Sequence, residues 1–220
     1  MGRKDMARKK QEIQAPMGEK TVLLHTCCAP CSSAIIEAMM NNGITPVIYY
    51  CNPNIYPHEE YEIRKNECTR YARSLGLEIV DADYDHEAWL ETVKGLEAEP
   101  ERGGRCLKCF KLRLLRTAGY AAQRGIKVIT TTLASSRWKS LDQINEAGRW
   151  ACLQLSLTMR SGAAPDPNLS EWPVWWDFNW RKGGLQERRL QIIKEYDFYN
   201  QRYCGCEFSM RPEDFTSTTE

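Results

Sequence analysis

Short β-rich apolar runs that alternate with longer helical stretches constrain the fold of this chain more than any other feature. Thr21–His25, Pro46–Tyr50, Leu77–Ala82 and Lys127–Thr132 read as strands, and each is followed by a segment of helical character. Ser32 or Ser33 is predicted to cap a helix carrying Ile35, Ile36, Met39 and Met40, with Gly43 as its stop. Further helices are predicted over His58–Ser74, Glu87–Val93, Cys106 to Gly125, Leu141–Leu153 and Gly184–Tyr203, and residues 160–175 read as a loop. Strand–helix alternation predicts an α/β fold, an open and mostly parallel sheet flanked by helices. Ligands of such sheets sit at the carboxyl ends of the strands. Cys27, Cys28 and Cys31 fall just past strand one, where nucleotide-binding sheets carry their phosphate loop.

The 220 residues fit one domain, and 42% hydrophobic with 27% charged residues is the composition of a globular enzyme. Residues 1–19 read as a disordered basic tail, 20–210 as a single α/β domain, and 211–220 as a flexible tail. No apolar run approaches the ~18 residues a membrane helix needs. The first twenty residues are basic and polar with no apolar core of a secretory signal, so a cytoplasmic location and no membrane partner are expected. Met6 stands where a myristoylation signal wants Ser or Thr.

Ten cysteines are many for a reducing compartment, and there they point to metal binding or thiol redox chemistry. Their spacing is Cys27-Cys28-x-x-Cys31, Cys106-x-x-Cys109 and Cys204-Gly205-Cys206, with Cys51, Cys68 and Cys152 alone and read as packing residues. Adjacent Cys27 and Cys28 cannot both point into one apolar core, and a helix start favours thiolate. Together the first two motifs offer ligands for zinc at tetrahedral geometry or for an iron–sulfur cluster. Spacing leaves both open, although adjacent cysteines suit a cluster whose separate irons each take one sulfur. Cys204 and Cys206 can pair only through a tight turn that Gly205 permits, and strained pairs tend to be labile or catalytic. His25, His58 and His86 are too scattered for a metal triad.

The net charge of +1 hides an asymmetry. Arg102, Arg105, Lys108, Lys111, Arg113, Arg116, Arg124, Lys127, Arg137 and Lys139 fall in a stretch with no acid, while Glu78–Glu101 is acidic apart from Lys94. The basic stretch contains Cys106 and Cys109, so a polyanion site beside the thiols competes with a plain solvated surface. Trp172, Trp175, Trp176 and Trp180 read first as cover for a core edge and second as stacking partners for unpaired bases. Arg181-Lys182-Gly183-Gly184 opens the last helix, where a phosphate can sit.

Several strings, in order, resemble the QueH family of cobalamin-independent epoxyqueuosine reductases: His25-Thr26-Cys27-Cys28-Ala29-Pro30-Cys31, Tyr50-x-Asn52-Pro53-Asn54-Ile55, Arg105-Cys106-x-x-Cys109-Phe110-x-Leu112-Arg113-Leu114, Thr130-Thr131-Thr132-Leu133, Asn179-Trp180-Arg181-Lys182-Gly183-Gly184 and Tyr203-Cys204-Gly205-Cys206-x-Phe208-Ser209. The matches run from about residue 21 to 209. Two segments depart from the family pattern. Leu133-Ala134-Ser135-Ser136-Arg137-Trp138-Lys139 replaces a more usual Ser-Pro-Tyr before the lysine, and 161–176 is longer and richer in Trp.

The resemblance implies reduction of epoxyqueuosine to queuosine at the wobble position, position 34, of tRNA. This would be a two-electron, two-proton deoxygenation that ends queuosine synthesis and draws on an electron donor not identified by sequence. It implies a [4Fe-4S] cluster held by Cys27, Cys28, Cys106 and Cys109, with Cys31 open to an additional iron ion. Cys204 and Cys206 fall on a pair expected to be redox-active. The tRNA phosphates would meet Arg105, Arg137, Lys139, Arg181 and Lys182. The implied fold is related to the adenine-nucleotide-binding, HUP or PP-loop-like α/β domains. Two rivals remain. A zinc-stabilised tRNA-binding module leaves Cys204-Gly205-Cys206 idle, and an ATP-dependent tRNA thiolase-like enzyme needs a Ser-Gly-Gly-x-Asp-Ser type loop that this sequence does not have.

Overall fold

The computed structural model describes residues 12–160 and 173–211. Strands β1 (Thr21–Thr26), β2 (Thr45–Tyr50), β3 (Ile79–Asp81), β4 (Val128–Thr131) and β5 (Val174–Trp175) form one sheet. Its order is β3-β2-β1-β4-β5 and every pairing is parallel. This order reproduces the first five strands of the doubly wound nucleotide-binding sheet. Val22–Thr26 and Pro46–Tyr50 are buried at every position. Both faces are therefore covered, which is why these strands read as continuous rather than alternating apolar runs.

Helices α1 (Ala29–Asn41), α2 (His58–Ser74) and α6 (Leu185–Glu195) pack as one layer, and α3 (His86–Val93), α4 (Gly104–Gln123) and α5 (Leu141–Arg160) as another. On α5, Ile144, Ala147 and Ala151 recur at helical spacing and are fully buried. Gly148 lies on the same face because a Cβ there would meet the Trp175 ring at 2.1 Å.

Several expectations need correction. Ser32 and Ser33 do not cap α1. The helix starts at Ala29 with Pro30 in its first turn, and Ser32 Oγ donates back to the carbonyls of Cys28 and Ala29. The segment read as a loop over 160–175 contains β5, while 161–172, including Trp172, lie outside the described residues. Helix α6 stops at Glu195 rather than Tyr203, and Asp197 turns the chain at φ 48°. The expected tail is also too long: Ile13 and Ala15 are 4% exposed and join the core. Residues 1–11 and 212–220 of the expected tails lie outside the described residues. Among the described residues no helix is long and apolar enough to cross a membrane.

A cysteine-lined cavity at the carboxyl edge of the sheet

The β1–α1 turn places Cys27, Cys28 and Cys31 with their sulfurs all within 4.8 Å of one another. Cys27 Sγ lies 3.9 Å from Cys28 Sγ, and its backbone N–H donates to Thr132 Oγ1 at 3.2 Å. Hydrogen bonds from Cys28 and Cys31 hold the Cys27 thiol well below the usual range, with Lys139 and Thr132 helping against burial. The same sharing of protons pushes Cys28 well up and Cys31 up to about 11. Three sulfurs this close can share one metal ion.

Below the triplet, His25 is fully buried. Its Nδ1 lies 2.7 Å from Thr131 Oγ1 and its Nε2 3.0 Å from the Cys51 carbonyl. Burial, then the Arg113 charge, lowers His25 to about 3, so the ring is a neutral strut between strand ends.

Cys31 also lines a cavity of about 1060 Å³, whose wall includes Cys106, Cys109, Cys204 and Cys206. Cys106 and Cys109 stand in the first turns of α4, with the Arg102 N–H donating to Cys106 Sγ at 3.3 Å. Burial pushes the Cys106 thiol up. The closest sulfur group is thus Cys27, Cys28 and Cys31. The expected set of Cys27, Cys28, Cys106 and Cys109 is divided between that triplet and the cavity wall, with Cys31 common to both.

The Cys204-Gly205-Cys206 segment reaches the cavity from the C-terminal side. Cys206 bridges Ile55, and the Gly205 carbonyl accepts from Tyr56 N–H at 2.9 Å. Gly205 sits at φ 101°, and a Cβ there would come within 2.9 Å of Ile55 and 3.0 Å of Arg64, so no other residue fits without movement. Cys204 and Cys206 are free thiols that hydrogen-bond each other. That bond, with the Lys139 charge working against burial, lowers Cys204 to about 6 and raises Cys206. Half-buried Lys139 faces both thiol groups. Burial opposes its charge, and the sulfurs of Cys27, Cys204 and Cys31 more than offset this, holding the ammonium above the usual lysine range.

Two further groups went unrecognised in the sequence. Arg113 is 2% exposed, and among the described residues no carboxylate pairs with it. Its guanidinium donates instead to the Cys51 carbonyl at 3.2 Å, to Asn52 Oδ1, and toward Cys109 Sγ at 3.9 Å. Fully buried Trp89 packs against Cys109 and Cys206, and among the described residues its Nε1 has no acceptor. A buried cation without an anion and a donor without an acceptor, both beside thiols, fit an anionic sulfur-bound group in the cavity. The basic count of 102–139 contained Arg113, but only the fold separates it from its solvated neighbours.

Of the expected phosphate contacts, Arg137 and Lys182 are exposed. Arg105 is 2% exposed and donates to the carbonyls of Leu96, Glu97 and Glu99. Arg181 donates to the carbonyls of Ala134, Ser136 and Lys139. These two hold the cavity rim in shape. Trp176 and Trp180 are buried, as cover for the core edge, with Trp180 Nε1 donating to Thr130 Oγ1 at 3.2 Å.

Fold and site together define a thiol-centred α/β protein, with cysteines where doubly wound sheets usually cradle a phosphate. The family model for epoxyqueuosine reductase QueH matches residues 22–212. An epoxyqueuosine reductase QueH of Histophilus somni (strain 129Pt) is 44% identical over 200 residues, covering 91% of this chain and 76% of that protein. One of Haemophilus influenzae is 42% identical over 202 residues (92% and 76%), and one of Acinetobacter baylyi 41% over 206 (94% and 88%). Among solved structures, the U34-tRNA thiolase NcsA from Methanococcus maripaludis with its [4Fe-4S] cluster is a loose likeness, with TM-score 0.44 and 10% identity, covering 88% of this chain and 62% of that one. The chain belongs to the epoxyqueuosine reductase QueH family and is an oxidoreductase.

Proposed function

We propose that this protein reduces epoxyqueuosine to queuosine at the wobble position of tRNA, in the cytoplasm. The observation that carries the reading is the convergence of seven cysteines, Cys27, Cys28, Cys31, Cys106, Cys109, Cys204 and Cys206, on one triplet and the adjoining cavity. Cys27, Cys28, Cys106 and Cys109 hold a [4Fe-4S] cluster, and Cys31 is left for an additional iron. Bound there, the cluster would supply one-electron transfer and Lewis-acid chemistry. A single zinc ion would also accept three sulfurs this close, but it would leave the four thiols of the cavity wall without work.

The chain's own groups do the rest. Opening the epoxide to an alkene takes two electrons and two protons and releases water. Cys204 as a thiolate and Cys206 as a thiol, closing to a disulfide, give up two electrons and one proton, solvent supplies the second proton, and an external two-electron reductant reopens the pair. Lys139 holds negative charge on Cys27 and Cys204 as the thiols cycle. Arg137, Lys139 and Lys182 meet the anticodon-loop phosphates, while Arg105 and Arg181 act through the rim they brace.

Anaerobic protein given a low-potential reductant and tRNA containing epoxyqueuosine should yield queuosine, seen by nucleoside mass spectrometry as the loss of one oxygen. Cys204→Ser leaves Cys206 with no partner for a disulfide and should lower turnover at least ~100-fold, the scale on which loss of one positioned catalytic group is felt, with tRNA affinity retained. Iron-replete wild-type protein that leaves epoxyqueuosine intact under these conditions would remove the assignment.

A further inference from the structure

Trp138 behaves unlike the tryptophans that the sequence offered as base-stackers. Trp176 and Trp180 are buried, and Trp175 gives its Nε1–H to Asn145 Oδ1 at 3.1 Å. Trp138 is 69% exposed, more than any other large hydrophobic side chain among the described residues. It lines the rim of the thiol cavity, alongside Leu190, which is 57% exposed.

The exposure is not that of a slack loop. Arg102 Nε donates to the Trp138 carbonyl at 2.8 Å, and its Nη2 to the Arg137 carbonyl at 3.2 Å. The Trp138 N–H donates to Ser136 Oγ at 3.3 Å. Arg181 braces the same turn through Ala134, Ser136 and Lys139. Gln143 Nε2 in turn donates to the Arg102 carbonyl at 2.8 Å. The Arg137 guanidinium lies 5.5 Å from the centre of the indole. A braced backbone thus presents an uncovered indole among cations at the mouth of the cavity that holds the reactive thiols. Proteins that take unpaired nucleotides use this combination, with aromatic faces for bases and cations for phosphates.

We propose that Trp138 is a stacking platform for an unpaired base of the anticodon loop, next to the nucleotide that enters the cavity. Arg137 sits on the adjoining phosphate. The inference rests on the tRNA reading above and deepens it: the platform makes the enzyme select a flexible, single-stranded loop and fixes the direction in which the loop is threaded.

The test uses the metal-loaded full chain and a fluorescein-labelled anticodon stem-loop, titrated by anisotropy at several salt concentrations. Trp138→Ala should raise Kd about five- to a hundredfold, the range seen when a stacked base loses its aromatic partner. Trp138→Phe should recover most of the affinity. The salt slope of Trp138→Ala should equal that of the wild type, because the slope counts neutralised phosphates. Stem-loops with one loop base removed give the sharper readout. Wild-type affinity should fall at one flanking position, and Trp138→Ala should show no further loss there.

Equal affinities of wild type and Trp138→Ala would overturn the proposal, as would losses that add at every abasic position. Unchanged affinity with loss of a wild-type dimer on sizing would assign the indole to self-association instead. A wild-type protein that binds no anticodon loop overturns both this inference and the tRNA reading. Stacking without conversion of epoxyqueuosine leaves the platform standing and removes the catalytic assignment alone.

Discussion

Glu60→Ala lowers the melting temperature by about 10 °C and disables the Cys204–Cys206 segment. Arg64 and Glu60 form an ion pair of 2.6 Å with side chains 2% and 8% exposed. Arg64 Nη2 also donates to the Tyr203 carbonyl at 3.2 Å, and Tyr199 Oη donates to the second Glu60 oxygen at 2.8 Å. One buried pair therefore fastens the chain that leads into Cys204, at Tyr199 and Tyr203, to α2. Removing one partner leaves the other charge buried and alone, at about 3–5 kcal/mol. In a chain of this size each kcal/mol moves the midpoint by roughly 2–4 °C. Replacing both residues by Leu should restore most of the melting temperature but not the turnover, because the tether to Tyr203 stays cut. Differential scanning calorimetry and the nucleoside assay separate the two effects. A Glu60→Ala protein within a degree or two of wild type would show that the pair is solvated and the tether lies elsewhere.

The second large effect falls on Arg113→Met, which keeps side-chain bulk and removes the buried charge. Asn52 Oδ1 loses its guanidinium donor, the Cys51 carbonyl keeps only His25, and Cys109 loses the charge 3.9 Å from its sulfur. A hydrogen bond from a charged group is worth about 1.5–3 kcal/mol, so metal retention should weaken about ten- to a hundredfold. The readout is iron remaining after timed exposure to a chelator, taken alongside turnover and tRNA Kd. Loss of iron with unchanged Kd marks a residue that positions the thiol cavity. Full iron retention with weakened tRNA binding would place Arg113 in the RNA interface instead. Arg113→Lys should rescue poorly, because a point charge does not reproduce a fork that reaches a carbonyl, an amide and a sulfur.

The parts of this molecule that were legible in sequence are those fixed locally. Helix α2 appears over His58–Ser74, as its charged periodicity requires, and the cysteine turn follows β1 because an apolar run ends there. Strand β5 was not legible. Val174–Trp175 lies among prolines and tryptophans and becomes a strand only by pairing with Val128 and Ile129. The shortening of α6 likewise depends on a left-handed Asp197 that no propensity demands.

The candidate site divides in the same way. Cysteine spacing marked the thiols that the fold gathers at one triplet and the adjoining cavity, and Gly205 marked the tight turn. The buried pair Glu60–Arg64, the lone cation Arg113 and the exposed Trp138 depend on which side of a folded surface each residue occupies. In a linear reading Glu60 and Arg64 are two residues of a charged helix, Arg113 is one of a basic run, and Trp138 belongs to a segment that departs from the family pattern. Arg105 and Arg181 show the converse, since their donors are taken by carbonyls that lie elsewhere in the chain.

The most direct test of the account is an absorption spectrum with iron, sulfide and zinc analysis on anaerobically purified protein, run beside Cys27→Ala. The account requires a broad visible absorption with iron and acid-labile sulfide in similar amounts, and loss of both in Cys27→Ala. Colourless wild-type protein containing zinc and no sulfide, from iron-replete anaerobic material, would contradict it.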